Sequence, residues 1–402
     1  MMEKIGKYIT NYIKGKTPKV LFDSELLDTL PYLSPDYLRG VSNPELYAKQ
    51  DAKTIVIDDG EVIVLWDGSN AGEILISKKG ILASTMTMLK FDETEINKAY
   101  FGYSFQNLEY ILKAKTAGSG IPHADKGVIS KLEFYKPSLP EQTAIANILS
   151  KVDEAIEAVQ DSIAAAERLK KSLMQNLLTG RMKPDGTFRT EDEFYMDEKF
   201  GKVPKGWEVK RVDEIADFVQ YGLNQASSET GNIPMFRMNN IVNGEMQDYP
   251  LVYVNLNDTA LCQYKLEKGD ILFNRTNSMD LVGKVGVFKL EGDYVFASYL
   301  IRIRVSKDNN PYFVNYALNS YPIQCSLRSK ATPAVSQANI NSKSLRGTSI
   351  LIPKEKQEQD EIVSRIEQVE LWINNKQQKI ATLERLKKSL MQNLLTGRMR
   401  VK

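Results

Sequence analysis

The chain has 402 residues, 53 of them basic and 51 acidic, which leaves a formal net charge of +2 at pH 7. Because domains usually hold about 100–200 residues, this length predicts two or more globular units. With 42% hydrophobic and 26% charged residues, and no apolar run near the roughly 20 residues of a membrane span, we expect no membrane segment and a cytoplasmic protein.

Few residues are available for metal or thiol chemistry. Cys262 and Cys325 have no second Cys or His near them, so we expect reduced, partly buried side chains rather than a zinc site or a disulfide. The single histidine, His123, is more typical of a hydrogen-bonded loop or core residue than of a catalyst. The sequence therefore predicts neither a metal nor a cofactor.

Residues 1–138 carry short β-rich runs such as "TIVIDDGEVIVLW", separated by Gly, Asn and Asp turns. This pattern predicts a globular head that is α+β or mostly β. Residues 139–182 then place apolar side chains at steps of three and four, which is typical of a long helix with coiled-coil character. About 40 residues at 1.5 Å each would extend over roughly 60 Å. Gly180 offers a left-handed cap at the end of this helix.

The rest of the chain repeats this order. A polar connector at 183–205 leads to a second head at 206–355 and then to a second helical region at 356–402. The segment "ERLKKSLMQNLLTGRM" occurs identically at 167–182 and 384–399, and the residues before it align without a gap. An apolar helical stripe needs a partner, and the obvious partner of each long helix is its duplicate.

The two heads match each other only faintly. One example is "YFGYSFQNLEYIL" at 100–112, which aligns with "YFVNYALNSYPIQ" at 312–324. The identical ends of the helical regions and the divergent heads favour two copies of one partner on the helices and two different ligands on the heads. A recent duplication or gene conversion is the alternative explanation for the identity.

These features together resemble the specificity (S) subunit of a Type I restriction-modification enzyme. The resemblance rests on "LPEQTAIANIL" and "KQEQDEIVSRI" at the helix starts, on the two "LLTGR" helix ends, and on "VPKGWEVKRVDEIADFV" at 203–219. The strand-turn segments "GEVIVLWDGSNAG" and "GDILFNRTNS" complete it. Each motif alone is weak, but their order and duplication are specific, and they cover nearly the whole chain.

The resemblance implies an α+β fold in which two target-recognition domains alternate with two long conserved helices. These helices should pack as an antiparallel coiled coil, which gives the internal repeat a pseudo-twofold symmetry. Each target-recognition domain should recognise one half of an asymmetric bipartite site in double-stranded DNA, with the helices setting the spacing. Each helical region should dock one methyltransferase (M) subunit, so that two bind, and restriction (R) subunits should join for cleavage.

The sequence supplies no motif for catalysis. It has no G-x-G-x-x-G, no G-x-x-x-x-G-K-[ST], no H-E-x-x-H and no paired Cys motif. The segment "NNPYF" at 309–313 is superficially similar to the Asn-Pro-Pro-Tyr motif of amino-methyltransferases, but the second Pro is missing. We interpret it as a turn before a helix. The chain is therefore expected to be non-catalytic, with methylation and cleavage performed by its partners.

Amide, hydroxyl, acidic and basic side chains on turns can contact base edges or phosphates, and the heads carry such turns at equivalent places. Turns of this composition are often only turns, and the basic residues after them could form a solvated face. The predicted DNA-binding residues are Trp66, Asp67, Ser69, Asn70, Lys113, Lys115, Ser119 and His123 in the first head, and Arg237, Asn239, Asn274, Arg275, Thr276, Asn277, Ser278, Arg328, Lys330, Ser336 and Gln337 in the second.

Polar residues of the duplicated segment are not explained by helix packing alone. They are Lys170, Gln175 and Asn176 in the first copy and Lys387, Gln392 and Asn393 in the second. We predict that they contact two copies of a shared partner. The rival hypothesis is a coiled-coil interaction scaffold whose heads bind proteins or glycans, which predicts binding that is indifferent to salt and to DNA sequence.

Overall fold

A computed structural model describes residues 1–115, 122–333 and 337–401 of the chain. The chain divides into two compact units, the first made of Met1–Ser162 with Lys376–Lys402 and the second of Ile163–Asn375. Each unit therefore contains one head together with a part of both long helices. None of the helices in the described ranges combines the length and the hydropathy that a membrane span requires.

The first head consists of short strands, short helices and one 3-10 turn at Ile5–Lys7, and the first long helix follows it. The strands are β1 (Met2–Lys4), β2 (Ile9–Lys14), β3 (Thr29–Pro31), β4 (Tyr47–Lys49), β5 (Val56–Ile57), β6 (Val62–Leu65), β7 (Ile74–Ile76), β8 (Gly80–Ile81), β9 (Met86–Phe91) and β10 (Glu133–Tyr135). The helices are α1 (Pro35–Leu38), α2 (Lys98–Asn107), α3 (Glu109–Ala114), α4 (Lys126–Lys131) and the long helix α5 (Leu139–Leu177).

The remainder of the chain is built from the same kinds of element, with 3-10 turns at Glu191–Glu193 and Met238–Asn240. The strands are β11 (Phe194–Asp197), β12 (Gly201–Pro204), β13 (Trp207–Arg211), β14 (Ala216–Tyr221), β15 (Ile233–Phe236), β16 (Ile241–Val242), β17 (Glu245–Met246), β18 (Val252–Val254), β19 (Ile271–Asn274), β20 (Thr276–Asn277), β21 (Val285–Val287), β22 (Val295–Phe296), β23 (Leu300–Val305), β24 (Thr332–Pro333), β25 (Ala338–Asn339) and β26 (Ser349–Pro353). The helices are α6 (Val212–Ile215), α7 (Asp258–Tyr264), α8 (Pro311–Asn319), α9 (Tyr321–Ser329), α10 (Ser342–Arg346) and the long helix α11 (Lys356–Leu394).

The first head is built on an antiparallel sheet in the order β2-β9-β6-β7. Its central strand β6 is buried on both faces. Val62 and Val64 pack with residues of α2 and of the two long helices, whereas Ile63 and Leu65 belong to a separate cluster on the other face. Successive side chains of a strand point to opposite faces, so a strand covered on both sides appears as a continuous apolar run.

The sheet of the second head has the order β14-β23-β19-β21-β17-β16. Its central strand β19 is again buried on both faces. Ile271 and Phe273 pack with α8 and with residues of both long helices, and Leu272 faces a second cluster that contains Phe236 and Phe296. In each unit the strand that leads to the candidate DNA-binding turn is therefore held rigidly on both sides.

The two long helices predicted from the apolar periodicity are confirmed, and each of them has 39 residues. Leu177 and Leu178 are buried in the core of the second unit, and their copies Leu394 and Leu395 are buried in the core of the first. The helices are therefore stabilised by the heads as well as by helix–helix contacts, which explains why they need no coiled-coil stripe on every turn.

The duplicated segments end in the same way. Gly180 has φ +66° and Gly397 has φ +73°, the left-handed conformation that glycine adopts at little cost. Beyond them, the backbone N–H of Met182 donates to Asn176 O at 3.1 Å, and the N–H of Met399 donates to Asn393 O at 3.0 Å. The predicted left-handed cap at Gly180 is confirmed.

Two details of the sequence interpretation are wrong. Cys262 and Cys325 are exposed rather than partly buried, because they lie on the outer faces of α7 and α9. The alignment of 100–112 with 312–324 is displaced by one residue, since Asn97 caps α2 and Asn310 caps α8. The helix predicted after "NNPYF" is confirmed, and the Asn310 side chain accepts hydrogen bonds from the first turn of α8.

Candidate functional site

In the first unit, the turn after β6 lies against the segment that contains His123. Asp67 and His123 form an antiparallel bridge, and His123 Nδ1 lies 2.6 Å from Asp67 Oδ1. Lys14 Nζ, at the end of β2, donates to Asp67 Oδ2 at 3.0 Å. Burial by itself would raise the pKa of the Asp67 carboxyl, but the hydrogen bonds from His123 and Lys14 outweigh it and hold that pKa below its usual value.

The neighbours of Asp67 differ in their accessibility. Trp66 is half-buried and meets the ring of Tyr12 edge to face, with 6.1 Å between ring centroids. Ser69 and Asn70 are exposed on the turn. Since Asp67 is held by Lys14 and His123 of its own unit, it orients the site, while the exposed His123 and the exposed turn residues can face a ligand.

The basic residues predicted in the first head lie at the end of α3. Lys113 and Lys115 are exposed, and Lys113 Nζ forms an ion pair with Glu109 at 2.5 Å. An i,i+4 pair of this kind is weak on a helix surface, so it would not prevent contact with a phosphate. Ser119, predicted on the following loop, lies outside the described residues.

The second unit brings together the equivalent two segments. Strand β20 pairs with β25, so that Thr276 is opposite Asn339 and Asn277 is opposite Ala338. Asn339 Nδ2 donates to Thr276 Oγ1 at 2.7 Å. This contact occupies the place that Asp67 and His123 occupy in the first unit, with a neutral pair instead of a charged one.

Arg275 and Trp66 are equivalent, because each directly follows the central strand and is held by its backbone on both sides. The N–H of Trp66 donates to Thr85 O at 2.7 Å, and the N–H of Arg275 donates to Tyr299 O at 3.0 Å. Their carbonyls accept from Ala124 N and Ile340 N, both at 2.9 Å. The same backbone site therefore presents an indole in one unit and a guanidinium in the other.

The Arg275 guanidinium has hydrogen-bonding capacity to spare. Its centre lies 5.0 Å from the Tyr221 ring centroid, and its two long contacts reach Ser298 O at 3.5 Å and Asn339 Oδ1 at 3.4 Å. Good N–H···O bonds are shorter, about 2.7–3.2 Å. Nε of Arg275 is buried without a partner among the described residues. Stacking on Tyr221 thus orients a cation whose donors are poorly satisfied.

Asn274 is placed differently from the rest of its turn. It is fully buried at the end of β19, and its Nδ2 donates to Leu281 O at 3.3 Å. The residue therefore supports the turn from inside and cannot reach a DNA groove in this structure. Asn277 is half-buried and Ser278 is exposed.

The later basic residues of the second head are partly drawn inward. Lys330 Nζ donates to Thr348 Oγ1 at 3.0 Å, and burial lowers the pKa of Lys330. Arg328 is half-buried, with its Nε buried and without a partner in the described ranges. Gln337 is exposed, whereas Ser336 lies outside the described residues.

Asn239 and Asn277 line the same cavity of about 720 Å³ in the second unit. Asn239 is exposed, and Arg237 before it is half-buried with its backbone N–H donating to Asn240 Oδ1 at 2.8 Å. Asn240 is fully buried and has a structural role. The structure therefore joins Asn239 to the turn that contains Asn277.

The polar residues of the duplicated segment have the same surroundings in both copies. Asn176 Nδ2 donates to Ser172 O, and Asn393 Nδ2 donates to Ser389 O, each at 2.9 Å. These amides therefore belong to their own helix. Gln175 and Gln392 are exposed and remain available to a partner.

Lys170 and Lys387 are already engaged within their units. Lys387 Nζ forms an ion pair with Asp153 Oδ1 at 2.6 Å, and Lys170 Nζ forms one with Glu370 Oε1 at 2.7 Å. Asp153 and Glu370 occupy equivalent positions of the repeat, as do the two lysines. These ion pairs join the two long helices within each unit.

Sequence reasoning missed the tyrosines that reach the same carboxylates. Tyr103 Oη donates to Asp153 Oδ2 at 2.7 Å, and Tyr316 Oη donates to Glu370 Oε2 at 2.8 Å. Burial, together with the neighbouring carboxylate, raises the pKa of both phenols far above its usual value, so they remain donors at neutral pH. The sequence signal that could have indicated these contacts is the acidic residue at the equivalent position of both long helices. Its tyrosine partners are distant in sequence, so the contacts could not be predicted from it.

The described residues contain no group of three or more His, Cys, Asp and Glu side chains arranged to hold a metal ion.

Comparison with known proteins places these features in a family. The model of the Type I restriction modification DNA specificity domain matches residues 7–168 and again 204–385. The chain is 32% identical, over 99% of its length and 92% of the relative, to the Type I restriction enzyme MjaVIII specificity subunit of Methanocaldococcus jannaschii. It is 25% identical to the MjaIX specificity subunit of the same organism, over 99% of this chain and 89% of the relative.

The fold agrees with this match. The crystal structure of the S subunit of a Type I restriction-modification system from M. genitalium superposes with a TM-score of 0.60 at 16% identity, over 98% of this chain and 96% of that one. Two matches of one DNA specificity domain cover the two heads and most of the long helix that follows each of them. The chain therefore belongs to the family of Type I restriction-modification specificity subunits and carries the DNA specificity domain of that family twice.

Proposed function

We propose that the two heads recognise two different half-sites of one asymmetric bipartite sequence in double-stranded DNA. The observation that carries this proposal is the pair of equivalent contacts, Asp67 with His123 and Thr276 with Asn339. Both lie where a buried central strand ends and a turn meets a later loop. The backbone arrangement is shared, whereas the side chains differ in charge and in hydrogen-bonding pattern.

The difference in side chains predicts different base preferences. In the first unit the exposed His123, held by Asp67, offers one ring nitrogen to a base edge. In the second unit Arg275 offers paired donors, which suit the O6 and N7 acceptors of guanine in the major groove. Lys113 and Lys115 are suited to phosphates, which fix position and carry no sequence information.

The domain boundaries that we propose are target-recognition domains at 1–138 and 206–355, helical regions at 139–182 and 356–402, and a connector at 183–205. We propose that the two long helices pack in opposite directions along their length and set the spacing of the half-sites. The ion pairs support this arrangement, because a higher residue number in α5, 170 against 153, goes with a lower one in α11, 370 against 387.

The chain itself is proposed to be non-catalytic. Methylation and cleavage would come from partner subunits, with two methyltransferase subunits bound to the helical regions and restriction subunits added for cleavage. The exposed Gln175 and Gln392 support a partner that binds twice, because identical sequence there adopts identical local structure. Lys170 and Lys387 contribute less to such a surface, since each is occupied by a carboxylate.

Selection of bound duplexes from a random DNA pool by the full-length chain tests this function. We expect enrichment of two unlike half-sites at one fixed spacing. A single contiguous motif, a palindrome or no enrichment would contradict the proposal. The scaffold hypothesis predicts the last of these outcomes.

A further inference from the structure

We propose that Asp153 and Glu370 are joints that fix the angle of each head on the long helices, and that they thereby determine how strictly the protein selects the spacing between half-sites. This inference rests on the proposed function. It concerns positioning residues, since neither carboxylate lies in the candidate DNA-binding turns.

The geometry of the joint is the same in both units. One carboxylate oxygen accepts the hydrogen bond from a head tyrosine, Tyr103 at 2.7 Å or Tyr316 at 2.8 Å. The other oxygen accepts from a lysine of the opposite long helix, Lys387 at 2.6 Å or Lys170 at 2.7 Å. Each carboxylate therefore connects three elements, which are one head and both long helices.

This geometry is kept although the residues around it differ. The carboxylate is an aspartate in the first unit and a glutamate in the second, and the head helices α2 and α8 share few residues. The lysine is supplied by α11 in the first unit and by α5 in the second. The contact persists although the acidic side chain differs in length between the two units. Local sequence identity therefore does not explain it, and we infer that the contact of the carboxylate with the tyrosine and the lysine is what is kept.

A second contact lies toward the start of each long helix. Asn97 N, at the cap of α2, donates to Gln142 Oε1 at 2.8 Å, and Asn310 N, at the cap of α8, donates to Gln359 Oε1 at 2.7 Å. Both glutamines are fully buried.

The two contacts together fix a direction. Eleven positions of the long helix separate the glutamine from the carboxylate in each unit, which is about 16 Å of helix. Six positions of the head helix separate the cap from the tyrosine, which is about 9 Å. The glutamine contact holds one point of the head helix on the long helix, beside the apolar packing of the head against both long helices. The tyrosine contact fixes the angle and carries that angle to the candidate DNA-binding turns.

The test uses the full-length chain and a series of duplexes that contain both selected half-sites with the spacer shortened or lengthened by one and two base pairs. The variants are Tyr103→Phe and Tyr316→Phe, which remove one hydroxyl and keep the ring. Their controls are Tyr110→Phe and Tyr321→Phe, because these phenols belong to nearby head helices and are 71% and 81% exposed.

We expect both variants, Tyr103→Phe and Tyr316→Phe, to discriminate less between spacers. Their affinity for duplexes with a shortened or lengthened spacer should come closer to their affinity for the preferred spacer. A hydrogen bond to a charged group corresponds to roughly a tenfold effect, so the discrimination between spacers should fall by about three- to tenfold. The preferred bases within each half-site should not change. The controls should keep the discrimination of the unmodified chain.

Two results would overturn the proposal while leaving the proposed function intact. One is an equal loss of affinity for all spacers, which is the signature of a merely structural role. The other is an unchanged preference for one spacer in both variants. If the unmodified chain itself showed no preferred spacer, the proposed function and the joint would both be wrong.

Discussion

His123 Nδ1 lies 2.6 Å from Asp67 Oδ1, and this contact joins the turn after the central strand to a loop more than fifty residues later. Lys14 holds the other carboxylate oxygen at 3.0 Å. The contact fixes the geometry of the first candidate half-site surface before any DNA is bound, which reduces the cost of ordering that surface on binding.

Replacement of Asp67 by Asn should therefore lower the stability of the first head. The folded-state pKa of Asp67 lies below its usual value, so the ionised carboxylate contributes stability above the ordinary pKa, and this contribution is lost as pH falls through the folded pKa. We expect a loss of up to about 1 kcal/mol at pH 7 for this partly exposed group. Urea unfolding at pH 7 and near pH 3 should show the difference between the proteins shrinking at the lower pH. A difference independent of pH would argue against the ion pairs.

Arg275→Gln should relax base preference in one half-site only. Loss of a bidentate contact to guanine costs about 1–3 kcal/mol, whereas the other half-site depends on the first unit and should not change. Competition binding against duplexes with single-base changes measures this. Lys284→Gln is the matched control, because Lys284 is exposed in the same unit and any phosphate contact by it would weaken binding to all sequences alike. Equal loss at both half-sites would refute the modular assignment.

Insertion of one heptad at equivalent places of both long helices should lengthen the preferred spacer. Seven residues extend a helix by about 10 Å, which corresponds to about three base pairs of DNA. The half-site bases should be unchanged when duplexes of graded spacer length are compared. If the insertion altered the bases and left the spacer, the helices would not set the spacing.

Gly180→Ala should lower the stability of the second unit by more than the cost of a left-handed backbone at a non-glycine residue. The left-handed backbone costs a non-glycine residue about 1 kcal/mol, and a Cβ at Gly180 would lie 2.4 Å from Pro204 Cγ. Gly186→Ala is the matched control, since Gly186 also has a positive φ, +92°, but a Cβ there meets nothing within 4 Å. Denaturant unfolding should rank Gly180→Ala below Gly186→Ala in stability. Equal stability would mean that the close approach to Pro204 is relieved without cost.

Binding to the selected duplex should weaken steeply as salt rises. If about six phosphates are neutralised, affinity should fall by a factor of about a thousand between ~50 mM and ~200 mM monovalent salt. Anisotropy titrations at graded salt measure the slope. A flat dependence would favour the scaffold hypothesis.

Much of the architecture could be predicted from the sequence because it depends on local patterns. The steps of three and four that end at Leu177 and Leu394 specified both long helices, and Gly180 specified the left-handed cap of the first. The β-rich run "TIVIDDGEVIVLW" indicated strands in the first head, and β5 and β6 lie within it.

The contacts of the candidate sites depend on chain segments that are distant in sequence. The sequence near Lys170 does not indicate its ion pair with Glu370. The sequence near Asp153 does not indicate the hydrogen bond that it accepts from Tyr103. Asn274 belonged by composition to a polar turn, but the preceding strand continues through it and buries it. A local pattern specifies the type of an element, whereas side-chain partners are specified by the packing of the whole unit.

Methylome sequencing of the host with and without this gene tests whether the chain directs modification to a bipartite DNA site. Deletion should remove methylation from one motif, made of two unlike half-sites separated by a spacer of fixed length. Loss of a contiguous or palindromic motif, or no change in any motif, would contradict it.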